Sequence, residues 1–183
     1  MAETAASEAS GEASRRDFLT ILTAASGAVA GAAIAWPLID ALNPPAQSAA
    51  QAQMIVTVAD IPANMAKTVF WDGLPILIRR LTPQQIADNQ AVVPGSLPNP
   101  ARFTDRVKPG YENFVVVVGL NTGLPCALEG NNPSEPRGDF DGWLSPCDGS
   151  VYDPLGRVRG GAARKNLTIP RFKFINAAQI QLG

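Results

Sequence analysis

The side chains able to do chemistry gather in two loops. Cys126 and Cys147, the only cysteines among 183 residues, lie in Asn121-Thr122-Gly123-Leu124-Pro125-Cys126 and in Ser145-Pro146-Cys147-Asp148-Gly149-Ser150-Val151-Tyr152. The chain has no histidine, which removes the commonest general base and the commonest nitrogen ligand together. A Ser-His-Asp arrangement is excluded, and the bases that remain are carboxylates. Asn121, Ser145, Asp148 and Ser150 offer amide, hydroxyl and carboxylate oxygens, a donor set that suits hard cations and not soft or redox-active metals. An even pair of cysteines is what an oxidising compartment permits.

Short β segments must position these loops. The apolar run Phe114 to Val118 reads as a buried strand that delivers the first loop. Val151-Tyr152, a turn at Asp153-Pro154-Leu155-Gly156, and Arg157-Val158-Arg159 read as a hairpin leaving the second. Upstream, Ile55 to Val58 predicts a strand, and Thr68 to Trp71 with Leu74 to Arg80 predicts a hairpin turning at Asp72-Gly73. Thr82 followed by Pro83 predicts the start of a short helix. Asp88 to Tyr111, with four prolines and little periodicity, reads as a long surface loop, and Glu129 to Arg137 as a polar surface excursion. Phe172 to Ile175 and Gln179 to Leu182 close the domain. The fold class is mainly β, an antiparallel sandwich or small barrel.

The two loops resemble the halves of a Rieske iron-sulfur site, whose pattern is C-T-H-x-G-C in the first loop and C-P-C-H-G-S-x-Y in the second. The resemblance extends to Gly138-Asp139-Phe140-Asp141-Gly142-Trp143 before the second loop and to Tyr152 through Gly160 after it. It continues in Asn166 to Pro170 and Ile180 to Gly183. It implies a Rieske-like head with cluster-binding loops 119–128 and 142–153, and a disulfide between Cys126 and Cys147. The four places that hold ligands in the family are Asn121, Gly123, Ser145 and Asp148 in this chain. A Rieske cluster takes two thiolates on one iron and two imidazoles on the other, so the expectation for this degenerate member is no cofactor and no metal. Ser150 and Tyr152 stand where the family places hydroxyls near the cluster. Without one they read as turn and packing residues. The family's G-P-A-P lid is Gly160-Gly161-Ala162-Ala163 in this chain, with both prolines gone.

The N-terminal third differs in kind. Residues 1–17 form a polar tail on the cytoplasmic side, ending in Ser14-Arg15-Arg16-Asp17-Phe18-Leu19, which resembles the twin-arginine export motif. Phe18 to Ile39 carries no charge over 22 residues; at about 1.5 Å of rise each that reaches roughly 33 Å, enough for a membrane core. Residues 18–42 therefore read as a transmembrane anchor, with Gly27 and Gly31 at helix-packing spacing. Arg15 and Arg16 flank it on one side, and no Lys or Arg follows until Lys67, which predicts a cytoplasmic N-terminus and a head across the membrane. Ala50-Gln51-Ala52 offers a signal-peptidase alternative, a cleaved and soluble form. Residues 43–53 read as a hinge linker and 54–183 as the head. A net charge of -1 gives no electrostatic reason for nucleic-acid binding.

Three functions fit. The first is a membrane-anchored, cluster-less Rieske-like subunit of a cytochrome bc complex in a bacterial inner membrane. It would dock on the cytochrome b and cytochrome c subunits, be structural or regulatory, and perform no catalysis of its own. The second is a working electron-transfer subunit of ubiquinol-cytochrome c reductase, as overall similarity suggests. The third is an independent periplasmic binding module that reuses Asn121, Ser145, Asp148 and Ser150 as an oxygen-lined pocket.

Overall fold

Five consecutive apolar residues form the strand β4, Phe114–Val118, and every one is buried. A strand can be apolar on both sides only where both are covered. In the computed structural model, which describes residues 18–22, 35–37, 39–40 and 53–183, that is the arrangement. β4 pairs antiparallel with β3, Leu74–Arg80, which pairs in turn with β2, Met65–Trp71. Alternation along this sheet divides the interior. Ile76, Ile78, Val116 and Val118 meet Val56, Ile180 and Leu182 on one side. Leu77, Val115 and Val117 meet Trp143, Tyr152, Leu155 and Leu167 on the other.

Two further antiparallel sheets supply those covers. The first has the order β1-β9-β8, from β1 (Met54–Thr57), β8 (Phe172–Asn176) and β9 (Gln179–Leu182). The second joins β5 (Trp143–Leu144), β6 (Val151–Tyr152) and β7 (Val158–Gly160) in that order. The head is mainly β and antiparallel, as the sequence predicts, with β3 and β4 of the central sheet covered on both faces. The β2–β3 hairpin turns at Asp72 and Gly73, whose φ values of 51° and 72° are both positive; Asp-Gly suits that two-residue turn. The helix α1, Pro83–Ala91, starts with Thr82 accepting from the Gln85 N–H while the Gln85 side chain accepts from the Thr82 N–H. This reciprocal box satisfies two of the helix's unpaired donors.

Two of the expected loops are more firmly anchored than the sequence suggests. The stretch Asp88 to Tyr111 is mostly exposed and irregular beyond α1, which runs to Ala91, but 3-10 turns at Pro94–Ser96 and Phe103–Asp105 and the buried Leu97, Phe103 and Val107 anchor it to the core. Its prolines destroy periodicity, yet isolated apolar side chains still plug into the core. Arg106 is buried as well, donating to the carbonyls of Leu155 and Leu167 at 3.0 and 2.8 Å. Burial pulls its pKa down to about 10. The excursion Glu129 to Arg137 is also tied down. The Ala66 N–H donates to the Asn131 carbonyl at 2.6 Å, and the buried Arg137 donates to Asn64 Oδ1 and to the Asn64 carbonyl. Ala66 lies in β2, so the excursion caps part of that strand's open edge.

The chain divides into two units, 1–49 and 50–183. In the first, residues 18–22, 35–37 and 39–40 are helical, with Phe18, Leu19, Ile21, Leu22, Trp36 and Ile39 exposed. Among the described residues no helix is long and apolar enough to cross a membrane. The tail 1–17 with Arg15 and Arg16, the glycines Gly27 and Gly31, most of the anchor 18–42 and the linker up to residue 52 lie outside the described residues.

Candidate functional site

Each loop first closes on itself. The first leaves β4 and returns through the Asn121 N–H to the Cys126 carbonyl at 2.9 Å and the Leu128 N–H to the Gly119 carbonyl at 3.1 Å. The second joins β5 to β6, with the Ser145 N–H on the Ser150 carbonyl at 2.8 Å and the Gly149 N–H on the Ser145 carbonyl at 3.0 Å. Gly149 has φ 67°, a left-handed turn that glycine adopts without strain. Between them stands the disulfide implied by the resemblance, Cys126 to Cys147, with Cα atoms 6.4 Å apart and a sequence separation of 21. A loop of that length is worth about 3 kcal/mol in the chain-entropy estimate.

A polar network lies beside the disulfide. Asn121 Nδ2 donates to Asp148 Oδ2 at 2.7 Å, joining the first loop to the second. The carboxylate's other oxygen accepts the Ser150 N–H at 3.0 Å. Asn121 Oδ1 accepts from the Tyr152 hydroxyl at 2.6 Å and from the Gly123 N–H at 3.3 Å. Tyr152 is fully buried, and its oxygen also receives the Thr122 N–H at 3.2 Å. Thr122 Oγ1 donates onward to the Lys165 carbonyl at 2.6 Å. A Cβ on Gly123 would stand 2.8 Å from Asp148 Oδ2, so the carboxylate occupies space that the glycine leaves free.

Burial of the Asp148 carboxyl acts to raise its pKa. The Ser150 N–H, the Asn121 amide and the hydroxyls of Ser150 and Ser145 outweigh that, and hold it well below the usual carboxylate range. Asp148 is therefore an anion at any physiological pH. Ser145 Oγ is buried, and its hydroxyl acts on the Asp148 carboxylate. Ser150 Oγ turns toward the lid and accepts the Ala163 N–H at 2.9 Å. The lid is held there without prolines: Ala163 is buried, and a Cβ on Gly161 would lie 2.4 Å from Ser150 Cα.

Of the residues singled out in the sequence, Asn121, Gly123, Asp148 and Tyr152 thus meet directly, while Ser145 and Ser150 flank them. Tyr152 and Ser150 do more than pack, since each carries a hydrogen bond between loops or to the lid. Thr122 and Ala163 were not legible as members. Their contributions run through a backbone N–H and through partners about 30 and 13 residues away, which no local pattern encodes.

Behind the second loop sits a buried cation. Arg79 is fully buried and donates to the Gly142 carbonyl at 3.0 Å and the Gly130 carbonyl at 3.3 Å, with its guanidinium 4.9 Å from the Trp143 ring centroid. Burial, with Arg137 nearby, lowers its pKa to about 10, so it stays charged. It fixes the strand that begins the loop. After the loop, Arg157 Nε donates to Asp153 Oδ2 at 2.7 Å and both side chains are buried. Asp153 Oδ1 also accepts the Leu155 and Arg157 N–H groups at 3.0 Å. Among the described residues no group of three or more His, Cys, Asp or Glu is placed to hold a metal ion.

The chain is similar to known proteins along its whole length. Residues 5–45, which include Arg15 and Arg16, match the segment described as the ubiquitinol-cytochrome C reductase Fe-S subunit TAT signal. The ubiquinol-cytochrome c reductase iron-sulfur subunit of Rhodospirillum rubrum is 42% identical over 182 residues, covering 100% of this chain and 98% of that protein. The subunit of the same name from Bradyrhizobium diazoefficiens is 42% identical over 170 residues, covering 92% and 94%. A chain of a hyperthermophilic respiratory Complex III shares the fold, with a TM-score of 0.55, 22% identity and coverage of 87% of this chain and 98% of that one.

These relatives overturn the expectation of no cofactor. Proteins that match this chain from end to end are named for an iron-sulfur centre. The four corresponding positions carry an amide, a bare backbone, a hydroxyl and a carboxylate, with the Asn121 amide hydrogen-bonded directly to the Asp148 carboxylate. That donor set does not fit a group that takes two thiolates and two imidazoles. With its export segment and its β head both matched, the chain belongs to the Rieske iron-sulfur subunit family of ubiquinol-cytochrome c reductase.

Proposed function

We propose that this protein is a membrane-anchored, Rieske-type subunit of a bacterial cytochrome bc complex, with a structural or regulatory role in it. Residues 1–17 are the cytoplasmic tail, 18–42 the single-pass anchor in the inner membrane, 43–53 the hinge and 54–183 the periplasmic head that docks on the cytochrome b and cytochrome c subunits. The observation that carries this reading is end-to-end similarity, at 42% identity, to an iron-sulfur subunit of ubiquinol-cytochrome c reductase. That similarity spans residues 18–53 as well as the head, and a head kept together with the segment before it argues for the same place of work.

Purification from detergent-solubilised membranes through a C-terminal tag tests it. The expected outcome is co-purification of a b-type haem with the tagged chain, and retention of the chain in membranes after an alkaline carbonate wash. Recovery of the tagged protein alone, without haem, would sink the proposal.

A second reading, a working electron-transfer subunit, is favoured by the names of the relatives. Iron and acid-labile sulfide analysis of the same preparation separates the two. Two irons and two sulfides per chain, with the matching paramagnetic signal on reduction, would favour electron transfer.

A further inference from the structure

We propose that Asn121, Gly123 and Asp148 form a non-covalent clasp that keeps the two loops paired independently of the Cys126–Cys147 bond. The clasp is built from complementary parts. Asp148 reaches from the second loop across the backbone of Gly123, where any side chain would collide with it at 2.8 Å. Its Oδ2 takes a hydrogen from Asn121 Nδ2 at 2.7 Å, and its Oδ1 is held in orientation by the Ser150 N–H at 3.0 Å.

Asn121 is itself fixed in one orientation. It is buried, and its Oδ1 accepts from Tyr152, whose ring is part of the core and whose oxygen is engaged by the Thr122 N–H. The amide cannot flip without setting its NH2 against the Tyr152 hydroxyl hydrogen and its carbonyl against the carboxylate. Two loops, bonded through residues 27 apart in sequence, are thereby joined through a charge-assisted bond anchored in the core. Hydrogen bonds to an ionised group are stronger than neutral ones, and partial burial strengthens them further.

The cysteines stand outside this arrangement. Cys147 is exposed and Cys126 half-buried, and neither sulfur takes part in the polar network. Opening the disulfide therefore removes the outer link and leaves the inner one. The three positions also depend on one another: an alanine at 123 displaces the carboxylate, and loss of the carboxylate strands the Asn121 amide in a buried site.

Amide hydrogen exchange on the full-length protein in detergent, read over loops 119–128 and 142–153, tests the clasp. Cys126→Ser/Cys147→Ser protein is expected to keep its loop protection within about threefold of the wild type. Adding Asp148→Ala should then lower protection by about tenfold or more, the size expected for losing a hydrogen bond to a charged group. Gly123→Ala in the disulfide-free background removes no hydrogen-bonding side chain, and is expected to lower protection to a similar degree. Loss of loop protection in the disulfide-free protein alone, with or without global unfolding, would overturn the proposal. So would unchanged protection after Asp148→Ala and Gly123→Ala.

Discussion

At the scale of single residues, the chemistry of the loops rests on one carboxylate. Asp148 has its pKa held below the ordinary range: burial opposes the charge, but the Ser150 N–H, the Asn121 amide and two serine hydroxyls outweigh it. A group whose folded pKa is depressed stabilises the fold fully above its unfolded value, about 3.9 for aspartate, and loses that contribution as pH falls through the folded value. Wild-type protein should therefore exceed Asp148→Asn in stability by a constant margin between pH 8 and about pH 5, and the margin should shrink only below about pH 4. Urea unfolding midpoints of both proteins across that range check it. A margin that already shrinks between pH 7 and pH 5 would mean that the carboxylate is not held ionised as the geometry requires. Arg79 shows the opposite case, a cation without a carboxylate bonded to it, held by two carbonyls and an aromatic face while its buried Nε has no partner.

At the scale of elements, the turn from β6 to β7 is the part most exposed to a single change. Asp153 receives two backbone N–H groups and the Arg157 guanidinium, and Arg157 continues to Asn89 of α1 through Nη2 and Oδ1 at 2.8 Å. Removing one partner of a buried pair leaves an uncompensated charge, at a cost of about 3–5 kcal/mol. Asp153→Ala should lower the unfolding free energy by that amount, and chemical denaturation reads it; a loss under about 1 kcal/mol would refute the role. The sequence showed this turn, the Asp-Gly hairpin, the capped start of α1 and the doubly buried β4, because each has a local signal in turn chemistry or apolar runs. It did not show that Arg79, Arg106 and Arg157 are buried, since arginine ordinarily reads as surface and its partners lie 49 or more residues away for Arg79 and Arg106. Nor did it show β5, which has only two residues and gains its place from Trp143 packing in the core. In the loops, the disulfide and the four aligned positions came from the resemblance to the Rieske loops and not from the residues alone. The contact between Asn121 and Asp148 was not legible, because it joins two loops whose approach only the folded sheets determine.

At the scale of the whole molecule, the order of the parts ties folding to transport. The head covers β3 and β4 on both faces and closes its loops with a disulfide, a bond that forms in an oxidising compartment and not in the cytoplasm. The twin-arginine match over residues 5–45 precedes the head, and under the proposed function Arg15 and Arg16 are the address that a receptor would read. Lysine keeps the charge but not the planar fork of donors that arginine presents. Replacing both arginines with lysine should therefore leave the fold of the head intact and stop its export. The check is thiol labelling of intact cells followed by denaturation under non-reducing conditions, together with protease access in spheroplasts. The variant should carry two free thiols and resist external protease, whereas the wild type should carry none and be cleaved. A lysine variant with its disulfide formed and its head accessible from outside would mean that the arginine pair is not the export address, and that the anchor alone directs the chain into the membrane.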